Sequence, residues 1–218
     1  EGLDMTQMHT AIAAGLNLKG DMTFAGGGYT FDLKDPTQAM TAAVQGSGGT
    51  FNFAMSKDGI GYGATGKDAK VAISGATIPF PIDITYAETA FNFLMPVSKG
   101  DTAQPFSMLM RIVDLSVSDS LWGMIDAGGQ LPHDPATMVV DVSGTTKMLL
   151  DVFDPANANA EAMPFDPQEL KLNELQVKAV GAELTGTGAA TFENSTGTPM
   201  PVGSIDLKLV GANALLDK

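Results

Sequence analysis

The motif closest to a known chemical site is a glycine-rich run at residues 61–67. Its sequence, Gly61-Tyr62-Gly63-Ala64-Thr65-Gly66-Lys67, satisfies G-x-G-x-x-G and the first seven positions of a phosphate-binding P-loop. However, Asp68 stands where a Ser or Thr would bind magnesium, and its carboxylate would repel phosphate. Residues 70–73 then alternate as a strand does, whereas a phosphate site needs a helix N-terminus. We therefore expect a glycine-rich strand and turn, not a nucleotide site.

His9 and His133 are the two imidazoles available for acid–base chemistry. His133 precedes Asp134 between two prolines, and neighbouring side chains in such a loop usually point apart. This favours a solvated loop residue over a general base. His9 falls on the polar side of a short predicted helix, so we expect it at the surface.

Other catalytic and metal-binding signatures are missing from the sequence. The sequence has neither cysteine nor a G-x-S-x-G motif, so the usual catalytic nucleophiles are missing. The lack of cysteine also excludes disulfides, zinc–thiolate sites and iron–sulfur clusters. No D-x-D-x-D-G loop is present for calcium. The 25 acidic residues leave a hydrolase with a carboxylate pair as an open alternative, but their spacing singles out no pair. We expect no enzyme, metal or cofactor, and we name no site residue.

Two apolar features have both a structural and a functional interpretation. Trp122, the only tryptophan, shares a short predicted helix with Leu121 and Ile125, which favours packing in a core under the sheet over stacking on a ligand. The 13 methionines suit adaptable apolar surfaces such as lipid grooves, and they equally suit an ordinary core.

The charge balance narrows the classes of partner. The formal net charge is -13 and Arg111 is the only arginine, so the chain lacks the clustered cations that nucleic acid or an anionic membrane surface requires. No apolar run approaches the roughly 20 residues that span a bilayer. The chain opens at Glu1, and we expect a mature protein from which a signal peptide has been removed or was never included.

Most of the chain alternates apolar and polar residues with the period of two that is typical of half-buried strands. The predicted strands are 16–24, 29–33, 50–55, 60–64, 71–73, 78–86, 90–95, 108–117, 138–142, 147–153, 170–179, 182–192 and 205–209. They predict a mainly β fold, a large curved antiparallel meander with a few short helices, in a single domain over residues 1–218.

Turn and breaker residues indicate how these strands connect. Gly26-Gly27-Gly28 predicts that strands 16–24 and 29–33 form a hairpin, and Ser56-Lys57-Asp58-Gly59 predicts a second hairpin. Pro79 and Pro81 place strand 78–86 at an edge, or with a bulge at its start. A phase shift at Asn173-Glu174 predicts a bulge that keeps Leu172 and Leu175 on one face. Residues 40–44 stay ambiguous between an edge strand and a short helix.

Helices and loops complete the prediction. Residues 4–15 form a short helix with Asp4 as its cap and Gly15 at its end, and residues 121–127 form a second helix. Residues 155–167 form an internal loop within one sheet system. A further helix opens at Gly211 with Asn213 as N-cap, and it is cut off at Lys218, which suggests a fragment of a longer protein.

Several motifs across most of the chain resemble the proteobacterial domain-of-unknown-function 2125 family, and the second half is also similar to the repeating strands of AsmA-like envelope proteins. These motifs are Ser118-Asp119-Ser120-Leu121-Trp122, Leu131-Pro132-His133-Asp134-Pro135, Leu184-Thr185-Gly186-Thr187-Gly188 and Pro199-Met200-Pro201-Val202-Gly203 before Leu207 and Leu209. The resemblance implies a periplasmic or envelope-facing protein whose curved sheet holds acyl chains.

Two hypotheses of different class follow. The first is a non-enzymatic periplasmic protein that binds a lipid or other apolar ligand on the concave face of its sheet. The second is a structural or assembly module that pairs with an envelope protein partner through exposed strand edges. Neither involves nucleic acid, and the sequence leaves the oligomeric state open.

Overall fold

The computed structural model describes residues 5–35, 37–160, 163–193 and 198–213, and in them the chain forms one open antiparallel sheet with two short helices. The elements in chain order are α1 (Met5–Ala13), β1 (Leu18–Phe24), β2 (Gly27–Leu33), β3 (Met40–Gly46), β4 (Gly48–Ser56), β5 (Gly59–Gly75), β6 (Ile82–Met95), β7 (Gln104–Val117), α2 (Asp119–Ile125), β8 (Ala136–Met148), β9 (Phe165–Ala179), β10 (Ala182–Glu193) and β11 (Met200–Val210).

The strands lie in the order β1-β4-β5-β6-β7-β8-β9-β10-β11, and β2 pairs with β3, which pairs with β5. All pairs are antiparallel, and the sheet does not close. The prediction of a mainly β fold with one large antiparallel sheet and a few short helices is confirmed.

Strands β1 and β2 are two parts of one long strand, and β3 and β4 are two parts of the next; each long strand is interrupted once. The last β1–β4 pair is Phe24↔Gly49, and the first β2–β3 pair, Gly27↔Gly46, lies three residues further along both strands in unchanged register. The described residues therefore form a meander of nine long strands. The predicted hairpin between residues 16–24 and 29–33 is wrong, because these segments follow one another along the same edge and pair with β4 and β3.

The interruptions line up across the sheet and form a crease, defined here by Gly26, Ser47 and Asp68. Gly26 has φ 99° and Asp68 has φ 48°, and the Ser47 hydroxyl lies 2.6 Å from Asp68 Oδ2. At Gly26 a Cβ would lie 2.7 Å from the Ser47 carbonyl oxygen, so only glycine fits there. The glycine run thus marks the crease and not a chain reversal.

Several predicted strand boundaries are wrong, because the strands continue through positions where the alternation of apolar and polar residues is interrupted. Predicted strands 60–64 and 71–73 are one 17-residue strand, β5. Strands 78–86 and 90–95 likewise merge into β6, which begins after Pro79 and Pro81 and pairs on both sides, so it is central and not at an edge. Strand β8 runs through Gly144 and ends at Met148, so residues 149–153 are not a strand.

Other local predictions are confirmed. Asn173 is the extra residue of a bulge, since Asp141 pairs with Glu174 while Val142 pairs with Leu172. Residues 56–59 form the β4–β5 turn. Residues 40–44, ambiguous between an edge strand and a short helix, belong to strand β3, which pairs with β2 and β5 and is therefore not an edge strand.

The helices and the internal loop agree with the sequence in outline. Helix α1 ends before Gly15 at φ 96°, whereas its predicted cap Asp4 lies outside the described residues. Helix α2 begins after Ser118. Loop 155–167 is shorter than predicted because β9 starts at Phe165, and it joins β8 to its neighbour β9. Of the helix expected from Gly211, residues 214–218 lie outside the described residues.

The tightest packing lies at one end of the sheet, which we call the α1 end. Six buried residues lie in α1 or at the ends of β4, β6 and β8: Ile12, Met55, Pro96, Val97, Thr146 and Met148. At the opposite end, α2 has no buried residue. The core therefore anchors one end of the strands and leaves most of the sheet's surface uncovered.

Candidate functional site

One face of the sheet, between the α1 end and the crease, is apolar across all nine long strands. Residues directly opposite each other on antiparallel strands share a face, and two unbroken rows of such partners cross this region. The first row is Gly20, Phe53, Tyr62, Phe93, Met108, Val142, Leu172, Gly188 and Ile205, and the second is Met22, Phe51, Ala64, Phe91, Met110, Val140, Leu175, Gly186 and Leu207. We call this surface the apolar face; at about 4.8 Å per strand it is roughly 38 Å wide.

The opposite face carries polar side chains that bond to one another. Its central row is Thr23, Thr50, Thr65, Ala90, Arg111, Val139, Gln176, Thr185 and Lys208. The Thr50 and Thr65 hydroxyls lie 2.8 Å apart, and Arg111 Nη2 donates to Glu174 Oε2 at 3.3 Å. Asn173, the bulge residue, donates to Asp141 Oδ1 at 3.0 Å. These bonds join neighbouring strands on this surface, which we call the polar face, whereas Arg111 Nε is buried without a hydrogen-bond partner.

The apolar face is left largely to solvent. The main contacts between described elements run between neighbouring strands, apart from α1 against the short 3-10 turn Pro155–Asn157, so no helix packs across the sheet. The accessible surface is 13802 Å², whereas a compact protein of this mass would expose about 9,500 Å². A large apolar surface in water is the usual mark of a binding site.

Within the apolar face, the sheet forms a groove near the α1 end. This groove has a volume of about 310 Å³ and is lined by Phe93, Leu94, Met95, Phe106, Ser107, Met108, Val142, Thr146, Phe165 and Pro167. That volume is at the lower end of the range of small-molecule sites. Its side chains are aliphatic, aromatic or thioether, with few hydrogen-bonding groups, so the groove can hold hydrocarbon but offers little for a polar substrate.

Two local arrangements shape this groove. The Phe106 ring lies over Gly144, and only a residue without a side chain leaves room for it there, because a Cβ on Gly144 would lie 2.7 Å from two carbons of the ring. Beside the groove, the Tyr62 ring stacks on Phe91 with centroids 5.5 Å apart and lies tilted against Phe93 with centroids 5.4 Å apart. Aromatic side chains packed against one another keep their positions without a ligand, so this part of the surface is preorganised.

The glycine-rich motif at residues 61–67 is a strand along its whole length, so the predicted strand is confirmed and the predicted turn is wrong. It lies within β5, pairs with β4 and β6 along its length, and is not followed by a helix. Tyr62 within it belongs to the apolar face. The motif therefore contributes to the sheet and lacks the helix N-terminus that a phosphate cradle needs.

Structure and prediction differ at His133 and Trp122. The sequence predicts a solvated loop residue at His133, whereas in the structure its Nδ1 lies 3.1 Å from Asp119 Oδ1 and its side chain is 29% exposed. Its ring stacks on Trp122 with centroids 4.6 Å apart. Trp122 is half-buried on a helix without buried residues, so packing in a core under the sheet is wrong for this residue. The sequence held no signal that would bring residues 122 and 133 together.

His9 is half-buried at the α1 end, where it lines a second cavity with the β4–β5 turn and the β6–β7 loop. In the described part of the chain, no three His, Asp or Glu side chains are grouped so that they could hold a metal ion. Among the same residues, no helix is both long and apolar enough to cross a membrane.

A scan against protein-family models finds no match, and searches of curated proteins and of solved structures find none either. The resemblance to the domain-of-unknown-function 2125 family and to AsmA-like proteins therefore stays a prediction.

Proposed function

We propose that this protein is a non-enzymatic binding protein of the periplasm or cell envelope that holds the acyl chain of a lipid, or a similar apolar ligand, on the apolar face. The observation that supports this best is the pair of unbroken apolar rows across nine strands, uncovered by any described helix. The placement in the periplasm rests on the sequence resemblance alone.

The energetics favour a long hydrocarbon chain. Each buried methylene contributes about 0.8 kcal/mol, whereas association costs roughly 4–15 kcal/mol in lost translational and rotational freedom. A chain of about ten methylenes would gain roughly 8 kcal/mol, which lies inside the range of that cost, whereas about twenty buried methylenes would gain roughly 16 kcal/mol and exceed it. The open face runs far beyond the groove, so a longer chain can continue along it.

The first experiment tests for a bound lipid directly. The protein is purified without detergent, examined by native mass spectrometry, and extracted with organic solvent so that the extract can be analysed for lipids. We expect a co-purifying lipid with long acyl chains. An empty protein that also fails to bind an added fluorescent long-chain fatty acid would contradict the proposal.

A second candidate function is pairing through the sheet edges, and the exposure of the edge strands favours it. Tyr29 on β2 is 82% exposed and Ile205 on β11 is 65% exposed. An edge strand with exposed apolar side chains can add a strand from another protein. Sedimentation equilibrium distinguishes the two: edge pairing predicts association that is lost in Leu207→Lys, whereas acyl binding predicts a protein that stays monomeric once its ligand is bound.

A further inference from the structure

A second cavity, of about 370 Å³, lies at the α1 end directly beyond the groove. Met95 lines the groove and the next residue, Pro96, lines this cavity; on β7, Gln104 lines the cavity and Phe106 the groove. Two strand residues span roughly 7 Å. A ligand lying in the groove could therefore place one end in the cavity.

The cavity has a rigid apolar floor. Pro96 is less than 2% exposed, Val97 is 3% exposed and Ile12 is 5% exposed. Hydrogen bonds hold its walls together: Val152 N donates to the Val97 carbonyl at 2.9 Å, and Lys99 N donates to Asp151 Oδ1 at 2.9 Å. These contacts fix the loops before any ligand arrives.

The polar rim of the cavity carries charges of both signs. Lys57 and Lys99 contribute ammonium groups, and Asp58, Asp101 and Asp151 contribute carboxylates. In the described structure neither ammonium lies within ion-pair distance of a carboxylate; most described lysines share this property, and Lys57 and Lys99 are distinguished by lining the same cavity. An ammonium without an ion-pair partner is available to a phosphate oxygen. The carboxylates beside it would repel a simple anion but attract a ligand that also carries a cation.

We infer that this cavity receives the zwitterionic headgroup of a phospholipid whose acyl chain lies in the groove. Lys57 and Lys99 contact the phosphate, and the aspartates contact the amine. The inference rests on the proposed function and adds the headgroup class and the orientation, with the headgroup at the α1 end.

The test compares two ligands with the same acyl chain, lysophosphatidylethanolamine and monoacylglycerol, as competitors of a bound fluorescent fatty acid. We expect the protein to bind the phospholipid at least tenfold more tightly. The double variant Lys57→Gln/Lys99→Gln should lose this preference and keep its affinity for monoacylglycerol. Lys208→Gln, on the polar face, is the matched control and should retain the preference.

Several outcomes would overturn the inference. Equal affinity of the native protein for both ligands would do so, as would a preference that survives in the double variant. Glycerophosphoethanolamine, the headgroup without an acyl chain, should compete poorly, and competition as strong as that of the phospholipid would show that the groove is not involved. If none of the acyl ligands binds, the proposed function itself fails, a result distinct from all of these.

Discussion

Phe93 and Asn92 are neighbours on β6, yet their side chains lie on opposite faces of the same sheet. Asn92 belongs to a face whose polar groups bond to one another, as in the pair of Arg111 with Glu174. Phe93 belongs to a face whose side chains meet other apolar side chains and water. Both faces belong to the same strands with the same pairing, so the backbone does not distinguish them. The binding surface differs from the solvated one only in its uncovered apolar side chains.

The largest difference between the two faces is expected when a charge is placed on each of them in turn. Phe93→Asp puts a carboxylate into the groove, where an acyl ligand would have to desolvate it. We expect its affinity for a fluorescent long-chain fatty acid to fall more than tenfold, measured by fluorescence titration.

Asn92→Asp is the matched control, one residue away and also a carboxylate. It should bind the fatty acid within about twofold of the native protein, because charge on the solvated face meets no ligand. Circular dichroism of both variants establishes that the sheet is retained. Equal losses in the two variants would contradict a binding role for the apolar face.

Two glycines on the apolar face, Gly144 and Gly20, lie in a closely packed part and an open part of the sheet. Gly144→Ala forces a methyl group against the Phe106 ring and the Glu169 carbonyl, and we expect the free energy of unfolding to fall by about 1–3 kcal/mol. Gly20→Ala meets nothing within 4 Å and should be neutral or stabilise by up to about 1 kcal/mol. Urea denaturation measures both, and a Gly20→Ala loss as large as that of Gly144→Ala would contradict the described packing.

The smallest effect is expected on the polar face. Glu174→Gln removes the charge that pairs with Arg111, but both side chains are partly solvated, at 46% and 34% exposure. Such ion pairs contribute about 0–1 kcal/mol, so we expect a loss of that size in urea denaturation and unchanged fatty-acid affinity. A change in affinity would mean that the two faces are coupled.

Local patterns predicted much of this sheet. The bulge at Asn173, the β4–β5 turn and the closing strands follow from the phase of alternation and from turn residues, which are properties of adjacent positions. The sequence also indicated an apolar surface in general terms. The sequence did not identify a site residue. The alternation of apolar and polar residues is the same whether the apolar face is buried or open to solvent.

The remaining features depend on contacts between distant residues. Gly26-Gly27-Gly28 has the same local signal whether it turns the chain or creases it, and the pairing of β1 with β4 decides between the two. The groove likewise depends on Phe106 lying over Gly144, which are 38 positions apart. The stacking of Trp122 on His133 requires a loop path that no periodicity describes.

Photo-crosslinking with a long-chain fatty acid that carries a diazirine along its chain shows which face of the sheet binds the ligand. After irradiation and digestion, mass spectrometry locates the labelled residues. The proposed function predicts labels on the groove and the adjoining apolar rows, at residues such as Phe93, Phe106 and Met108, and competition by unlabelled fatty acid. Labels concentrated on the polar face, for example at Thr50 or Gln176, or labelling that unlabelled fatty acid does not reduce, would contradict it.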